Sequence, residues 1–158
     1  MPKIFRLTTP DKETGGNRLN EGIFRGETIN TPSMLCVADW LDILAWADAI
    51  GGAPALMARC RQSLAHIEAF VAQRDWIDFL ARDAATRSCT SVCLKLDLPD
   101  EQVKALVKLL AAENVAHDIA SYKDAPVGLR IWCGATVEPE DVRRLLPWLD
   151  WAYAQVSR

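Results

Sequence analysis

Apolar residues in the first half of the chain recur at helical spacing. From Thr31-Pro32-Ser33 to Ile50 they fall on nearly every side of a predicted helix, and Gly51-Gly52 follows as a stop signal. Because this helix is apolar almost all round, we expect it to be buried. A second helix is predicted from Pro54, which suits a first turn, to Val71.

The second half alternates between strand and helix patterns. The predicted elements are strands at 91–97, 117–121 and 129–133, a helix from 99 to 110, and a last helix that opens at residues 138–141. Pro147 is expected to kink this last helix. The order predicts an α+β fold in which helices cover one side of a small, mostly antiparallel sheet.

Two short alternating runs near the amino end, at residues 3–8 and 22–26, predict a hairpin. Residues 9–20 separate them and are rich in Pro, Gly and Asn, so we predict a long, mobile loop there.

Composition excludes several function classes. The chain has 158 residues and a net charge of −3, without the clustered Lys and Arg of a nucleic-acid binder. It has no apolar run of about 18 residues and no signal-peptide pattern, so we expect a cytoplasmic protein without a membrane partner. Five cysteines at irregular spacing predict reduced thiols, mostly buried, and their spacing with the two histidines does not fit a metal site.

Two places could bind an anion. Asn30 and Thr31 stand at the start of the long apolar helix, whose N–H groups and positive dipole end favour phosphate, although Thr31 could be a plain helix cap. Arg130 follows a Gly-containing loop at the start of a strand, where its planar fork could hold a carboxylate. The alternative for Arg130 is a surface arginine or an ordinary ion pair.

Three longer motifs carry a resemblance to a known family. They are Gly26-Glu-Thr-Ile-Asn-Thr-Pro-Ser-Met-Leu35, Arg74-Asp-Trp-Ile-Asp-Phe-Leu80 and Gly128-Leu-Arg-Ile-Trp-Cys-Gly-Ala-Thr-Val137. Together they resemble phosphoserine aminotransferase, in the form found in many α-proteobacteria. The similarity extends over nearly the whole chain.

The resemblance implies a homodimeric, pyridoxal-phosphate-dependent enzyme of fold type I. Such an enzyme moves an amino group between glutamate and 3-phosphohydroxypyruvate in serine biosynthesis. By position in the family, Asn30 and Thr31 would reach the cofactor phosphate across the dimer. Arg130 would hold the substrate carboxylate, and Lys123 would contact the substrate phosphate.

The resemblance also implies that this chain is only the C-terminal portion of such an enzyme. Residues 1–50 would form the end of the large domain and a connecting helix, and residues 51–158 the small C-terminal domain. The Schiff-base lysine would belong to the large domain, because no lysine here stands in that context. We therefore expect no catalytic residue in this chain and no activity unless a homodimer or a complementing large domain completes the site.

A different class of function stays open. The chain could be a stand-alone, non-catalytic α+β module for binding or interaction. The apolar helix distinguishes the two, because in a fragment it should expose a large apolar patch, whereas a true module should be monodisperse at high concentration.

Overall fold

The computed structural model describes residues 7–27 and 33–157, which fall into two compact units, Met1–Trp46 and Ala47–Arg158. The first unit contains a short antiparallel hairpin of β1 (Thr8–Pro10) and β2 (Asn17–Leu19). Its turn is closed by a hydrogen bond of 2.9 Å from the Asp11 N–H to the Gly16 carbonyl oxygen, with Gly15 at φ 69°. The left-handed backbone at this corner is one that glycine adopts without strain.

The hairpin prediction was therefore wrong in its position. Both strands lie mostly inside the segment 9–20 that was expected to be a loop, because its Asp and Gly residues close a turn of only six residues. The segment Glu21–Arg25, expected to be a strand, forms a short 3₁₀ helix. Its ends are joined by an ion pair of 3.0 Å between Glu21 and Arg25, a spacing that suits a helical turn.

The predicted apolar helix is confirmed as α1 (Met34–Ala49), and Gly51 follows it at φ 111°. The cap differs from the prediction, since the Cys36 N–H donates to the Ser33 hydroxyl oxygen at 3.5 Å. Ser33 thus occupies the cap position that was assigned to Thr31, because the helix begins later than expected. Asn30 and Thr31 themselves lie outside the described residues.

The expectation that α1 is buried was wrong. None of its described side chains is buried, and Trp40 is 63% exposed. Burial needs a second layer, and the described residues of the first unit form none over α1. A contiguous apolar patch is the feature expected here for a fragment of a larger protein.

The second unit is a three-stranded sheet with helices. Its elements are α2 (Gly52–Val71), β3 (Ile77–Phe79), β4 (Ser91–Leu96), α3 (Asp100–Ala112), β5 (Leu129–Trp132) and α4 (Pro139–Val156). The strand order is β3-β4-β5 and both pairings are antiparallel. The antiparallel character of the sheet is thus as predicted, whereas the order was not predicted. Pro147 lies inside α4, and the helix continues past it to Val156.

Two strand predictions need correction. β3 was not predicted, because three residues are too few to show a period. The candidate strand at 117–121 makes only one isolated bridge, from Ala120 to Leu129. Asp118 interrupts it with a left-handed backbone at φ 53°, which is incompatible with a regular strand.

The sheet has one buried face. Val92 and Leu94 of β4 and Leu129 and Ile131 of β5 alternate into the core. The helices bury Ile67, Leu106, Leu110 and Leu149 in the same cluster. The intervening strand residues, including Ser91, Cys93 and Arg130, therefore lie on the opposite face of the sheet.

All five cysteines are free thiols, as predicted, but only Cys60 and Cys133 are buried. Cys36 is exposed on α1, and Cys93 is half-buried because it faces away from the core. Burial raises the pKa of the Cys133 thiol to about 12, so this side chain behaves as a neutral apolar residue.

A bidentate ion pair connects the end of α2 to α4. Arg74, just after α2, donates from Nε and Nη2 to the Asp150 carboxylate on α4 at 2.6 and 2.5 Å. The Arg74 guanidinium also lies 3.5 Å from the centre of the Phe70 ring. The ion pair gives Arg74, the first residue of the motif Arg74–Leu80, a structural role, because a bidentate pair fixes both the distance and the orientation between Arg74 and α4.

The start of α4 predicts a pH effect. Glu140 accepts hydrogen bonds from Arg143 at 2.6 Å and from Arg144 at 3.1 Å, and the pKa of Glu140 falls to about 2, first because of Arg143. The stabilising effect of this carboxylate is therefore present above its unfolded pKa of about 4.5 and is lost as the pH falls towards 2. We expect an NMR titration of the Glu140 carboxyl carbon to show that low pKa, and an Arg143→Gln variant to raise it. A midpoint near 4.5 in the unsubstituted chain would contradict the arrangement.

Candidate functional site

Arg130 is held in place from both sides of β5. It lies directly opposite Cys93 of β4, and its N–H donates to the Ile119 carbonyl oxygen at 2.8 Å. Just before it, Gly128 packs so closely on β4 that a Cβ atom would overlap the Leu94 carbonyl oxygen. Only glycine fits here, so the backbone leading into Arg130 is set by close contact with β4.

The Arg130 guanidinium makes a one-sided ion pair. Its Nη2 donates to the Asp118 carboxylate oxygen Oδ2 at 2.8 Å and to the Asp118 carbonyl oxygen at 3.2 Å. Its Nε is buried and has no hydrogen-bond partner among the described residues. An unpaired buried donor costs stability, so the Arg130 guanidinium has capacity to donate to a further acceptor.

Tyr122 lies against the same guanidinium. The Arg130 Cζ atom is 4.6 Å from the centre of the Tyr122 ring, and the Tyr122 hydroxyl is 3.2 Å from the Ser91 hydroxyl on β4. Tyr122 and, second, Asp118 raise the pKa of Arg130, so it is a cation at every physiological pH. Ser91 and then Arg130 lower the pKa of the Tyr122 hydroxyl. Tyr122 thus connects the arginine to the neighbouring strand.

A cleft of about 400 Å³ opens beside Arg130. Its walls include His117 and Asp118 on one side, Arg130 and Trp132 on the other, and Leu145 of α4. The His117 ring nitrogen Nε2 lies 2.9 Å from the Asn114 amide oxygen, which orients the ring. A cation at the wall of an open cleft of mixed polar and apolar lining is suited to a small carboxylic acid, because the charge and the fork of the guanidinium give orientation.

The other predicted site residues are placed less completely. Lys123 is exposed in the turn next to Tyr122 and does not line the cleft. Asn30 and Thr31 lie outside the described residues, so their roles stay predictions. Asp118 and Ser91 were not identified from the sequence, because neither stands in a motif and only the chain fold brings them to Arg130.

Two kinds of feature are absent from the described residues. Across 7–27 and 33–157, no three His, Cys, Asp or Glu side chains form a group that could hold a metal ion. Over the same ranges, no helix has the length and apolar character needed to cross a membrane.

No protein-family model matches the chain, but individual proteins do. It is 56% identical over 157 residues to a phosphoserine aminotransferase of Methanosarcina barkeri, covering 99% of this chain and 41% of the relative. A phosphoserine aminotransferase of Methanosarcina mazei is 55% identical with the same coverage. This segment belongs to the phosphoserine aminotransferase family.

The chain corresponds to the C-terminal portion of a phosphoserine aminotransferase, spanning about two fifths of the length of these curated relatives. A more distant match is a putative phosphoserine aminotransferase of Mycobacterium leprae, 28% identical over 132 residues, covering 83% of this chain and 35% of the relative. The specific likeness to α-proteobacterial members stays a prediction.

A solved structure supports the fold. It is a phosphoserine aminotransferase studied for radiation damage of its Schiff base, with a TM-score of 0.76 and 14% identity, covering 87% of this chain and 38% of that one. At this identity the likeness concerns the fold alone. The predicted class, a mixed α and β segment with a small antiparallel sheet covered by helices, is confirmed.

Proposed function

We propose that this segment is the substrate-recognising, C-terminal part of a pyridoxal-phosphate-dependent aminotransferase. The reaction is amino transfer between glutamate and 3-phosphohydroxypyruvate in serine biosynthesis. The observation that carries the proposal is Arg130, a half-satisfied guanidinium at the wall of a small cleft. The identity of 56% to a Methanosarcina phosphoserine aminotransferase supports it.

Arg130 binds the α-carboxylate that both substrates carry. Its fork can donate two parallel, charge-assisted hydrogen bonds to one carboxylate, which fixes the orientation of the substrate as well as its position. We assign contact with the phosphate of the phosphorylated substrate to Lys123, which is exposed beside Tyr122 and outside the lining of the cleft. Neither residue takes part in the chemical step, so they act in binding and orientation.

The residues at the start of α1 hold the phosphate of the cofactor. Asn30 and Thr31 precede a helix of 16 residues that has no acidic side chain in its first turn. The positive dipole end of a long helix without a competing carboxylate in its first turn suits a phosphate, which supports pyridoxal phosphate at this end. When bound, the cofactor supplies the electron sink that amino transfer requires.

The remaining parts of the proposal follow from the family. Residues 1–50 belong to the end of the large domain and a connecting helix, and residues 51–158 form the small domain. A large domain supplies the Schiff-base lysine, and the complete enzyme is a cytoplasmic homodimer. The exposed apolar face of α1 supports a missing neighbour, because isolated soluble domains rarely expose such a patch.

The test compares the 158-residue chain with the complete enzyme that contains it. We expect the complete enzyme to convert glutamate and 3-phosphohydroxypyruvate and to show the visible absorption of bound pyridoxal phosphate. We expect the isolated chain to do neither, and to associate through α1 at high concentration. A monodisperse isolated chain together with an inactive complete protein would favour the non-catalytic binding module instead.

Substitutions at the start of α1 test the cofactor assignment. In the complete enzyme, Asn30→Ala or Thr31→Ala removes one hydrogen bond to the charged phosphate, worth about 1.5–3 kcal/mol, which corresponds to a loss of about 10- to 150-fold in cofactor affinity. The measurement is retention of pyridoxal phosphate on dilution, followed by absorbance. Ser33→Ala is the matched control, because Ser33 caps the same helix by its hydroxyl oxygen and is not assigned to the cofactor. Unchanged retention in both single variants would contradict the assignment.

A further inference from the structure

We propose that Asp118 is an internal competitor for Arg130, a carboxylate that occupies the guanidinium until a substrate carboxylate displaces it. This inference rests on the proposed role of Arg130 in substrate binding. Asp118 would thereby limit how tightly Arg130 binds its substrates, a role that no sequence motif around Asp118 indicates.

Asp118 satisfies only one of the two nitrogens on its side of the Arg130 guanidinium. Asp118 offers one carboxylate oxygen to one nitrogen, Nη2, at 2.8 Å, and its carbonyl oxygen adds a second contact to the same nitrogen. The neighbouring nitrogen Nε is left without an acceptor among the described residues. Nε is covered while Asp118 occupies this edge, so a second carboxylate reaches the Nε–Nη2 edge only after Asp118 leaves, and it then makes two parallel bonds where Asp118 makes one.

The pair is also inexpensive to break. The Asp118 side chain is 88% exposed, so its carboxylate regains full hydration when it leaves Arg130. Exposed ion pairs contribute only about 0.2–1 kcal/mol, which a bidentate, partly desolvated substrate contact exceeds. The Arg130 side chain is only 18% exposed, so the cation stays in the wall of the cleft while its partner changes.

Tyr122 keeps the arginine in position during this exchange. Its ring lies against the guanidinium, and its hydroxyl is anchored to Ser91 on β4. The Arg130 backbone is fixed separately by the bond of its N–H to the Ile119 carbonyl oxygen. The removal of the Asp118 carboxylate should therefore free Nη2 without releasing the side chain.

The backbone at Asp118 determines which variants are informative. Its φ of 53° is left-handed, a conformation that Asn tolerates well and Gly adopts freely, whereas Ala there is strained. Asp118→Asn removes the charge and keeps the shape, and Asp118→Gly removes the side chain and keeps the turn. Glu113→Gln is the matched control, because it deletes an exposed carboxylate five residues earlier in the chain that does not line the cleft.

The experiment uses the complete holoenzyme and measures KM and kcat for both carboxylate substrates. We expect both Asp118 variants to lower both KM values by about 1.5- to 5-fold, the equivalent of an exposed ion pair, with kcat unchanged. The Kd of glutarate, a non-reacting dicarboxylate, should fall by the same factor in calorimetry. Glu113→Gln should change none of these values.

Unchanged or raised KM values in both Asp118 variants would overturn the inference, since a carboxylate that only positions Arg130 cannot improve binding when it is removed. An Arg130→Met variant separates this result from failure of the proposed function. If Arg130→Met leaves KM and the glutarate Kd unchanged, the role of Arg130 itself is wrong. If Arg130→Met weakens binding but the Asp118 variants do not strengthen it, only the competitor role is wrong.

Discussion

In the complete enzyme, Arg130→Ala should raise the KM of both carboxylate substrates by about 10- to 150-fold. The estimate follows from the loss of hydrogen bonds between charged groups, worth about 1.5–3 kcal/mol. Both substrates are affected because the α-carboxylate is the group they share. The variant also leaves the exposed Asp118 without its cation, which costs little because water replaces the contact.

Arg130→Lys is the matched control for this prediction. It keeps the positive charge but lacks the planar fork, so an intermediate loss distinguishes bidentate recognition from simple attraction of charge. The thermal unfolding of each variant, measured beside its kinetics, shows whether the site or the whole fold has changed. Normal KM values for both substrates in a folded Arg130→Ala enzyme would show that the carboxylate is held elsewhere.

Gly128→Ala should destabilise the second unit by about 1–3 kcal/mol, the usual cost of overpacking a close contact. The added methyl group would overlap the Leu94 carbonyl oxygen, which belongs to the backbone of the central strand β4 and cannot rotate away. The strands β4 and β5 must therefore move apart next to Arg130 of β5. Urea unfolding followed by circular dichroism measures the stability, and KM in the complete enzyme reports the displacement of the arginine.

Gly134→Ala provides the comparison in the same region. A Cβ atom at Gly134 would come within 2.5 Å of the Trp132 indole, but that side chain is exposed and can rotate. We expect a smaller loss of stability than for Gly128→Ala. Equal losses in the two variants would contradict the view that backbone contact makes Gly128 irreplaceable.

The long periodic elements could be predicted from the sequence because their signal is repeated many times. The residues of α1, α2, α3 and α4 repeat their apolar spacing over several turns, and β4 and β5 alternate in the same way. Short elements lack this repetition. β3 has three residues, and the hairpin lies where turn-forming residues suggested only a loop. The prediction that α1 is buried was wrong for another reason. The apolar pattern of α1 shows that the helix needs a packing partner, but not whether the described residues provide one.

The sequence by itself determined the fold class, the family, and Arg130 as a candidate for carboxylate binding, because each of these depends on local pattern or on motifs contiguous in the chain. Only the tertiary structure decided what surrounds Arg130. Asp118 and Tyr122 come from the connection before β5 and Ser91 from β4, and antiparallel pairing with a left-handed turn brings them together around one guanidinium. Such contacts depend on strand register and side-chain direction, which a single sequence does not encode in any local pattern.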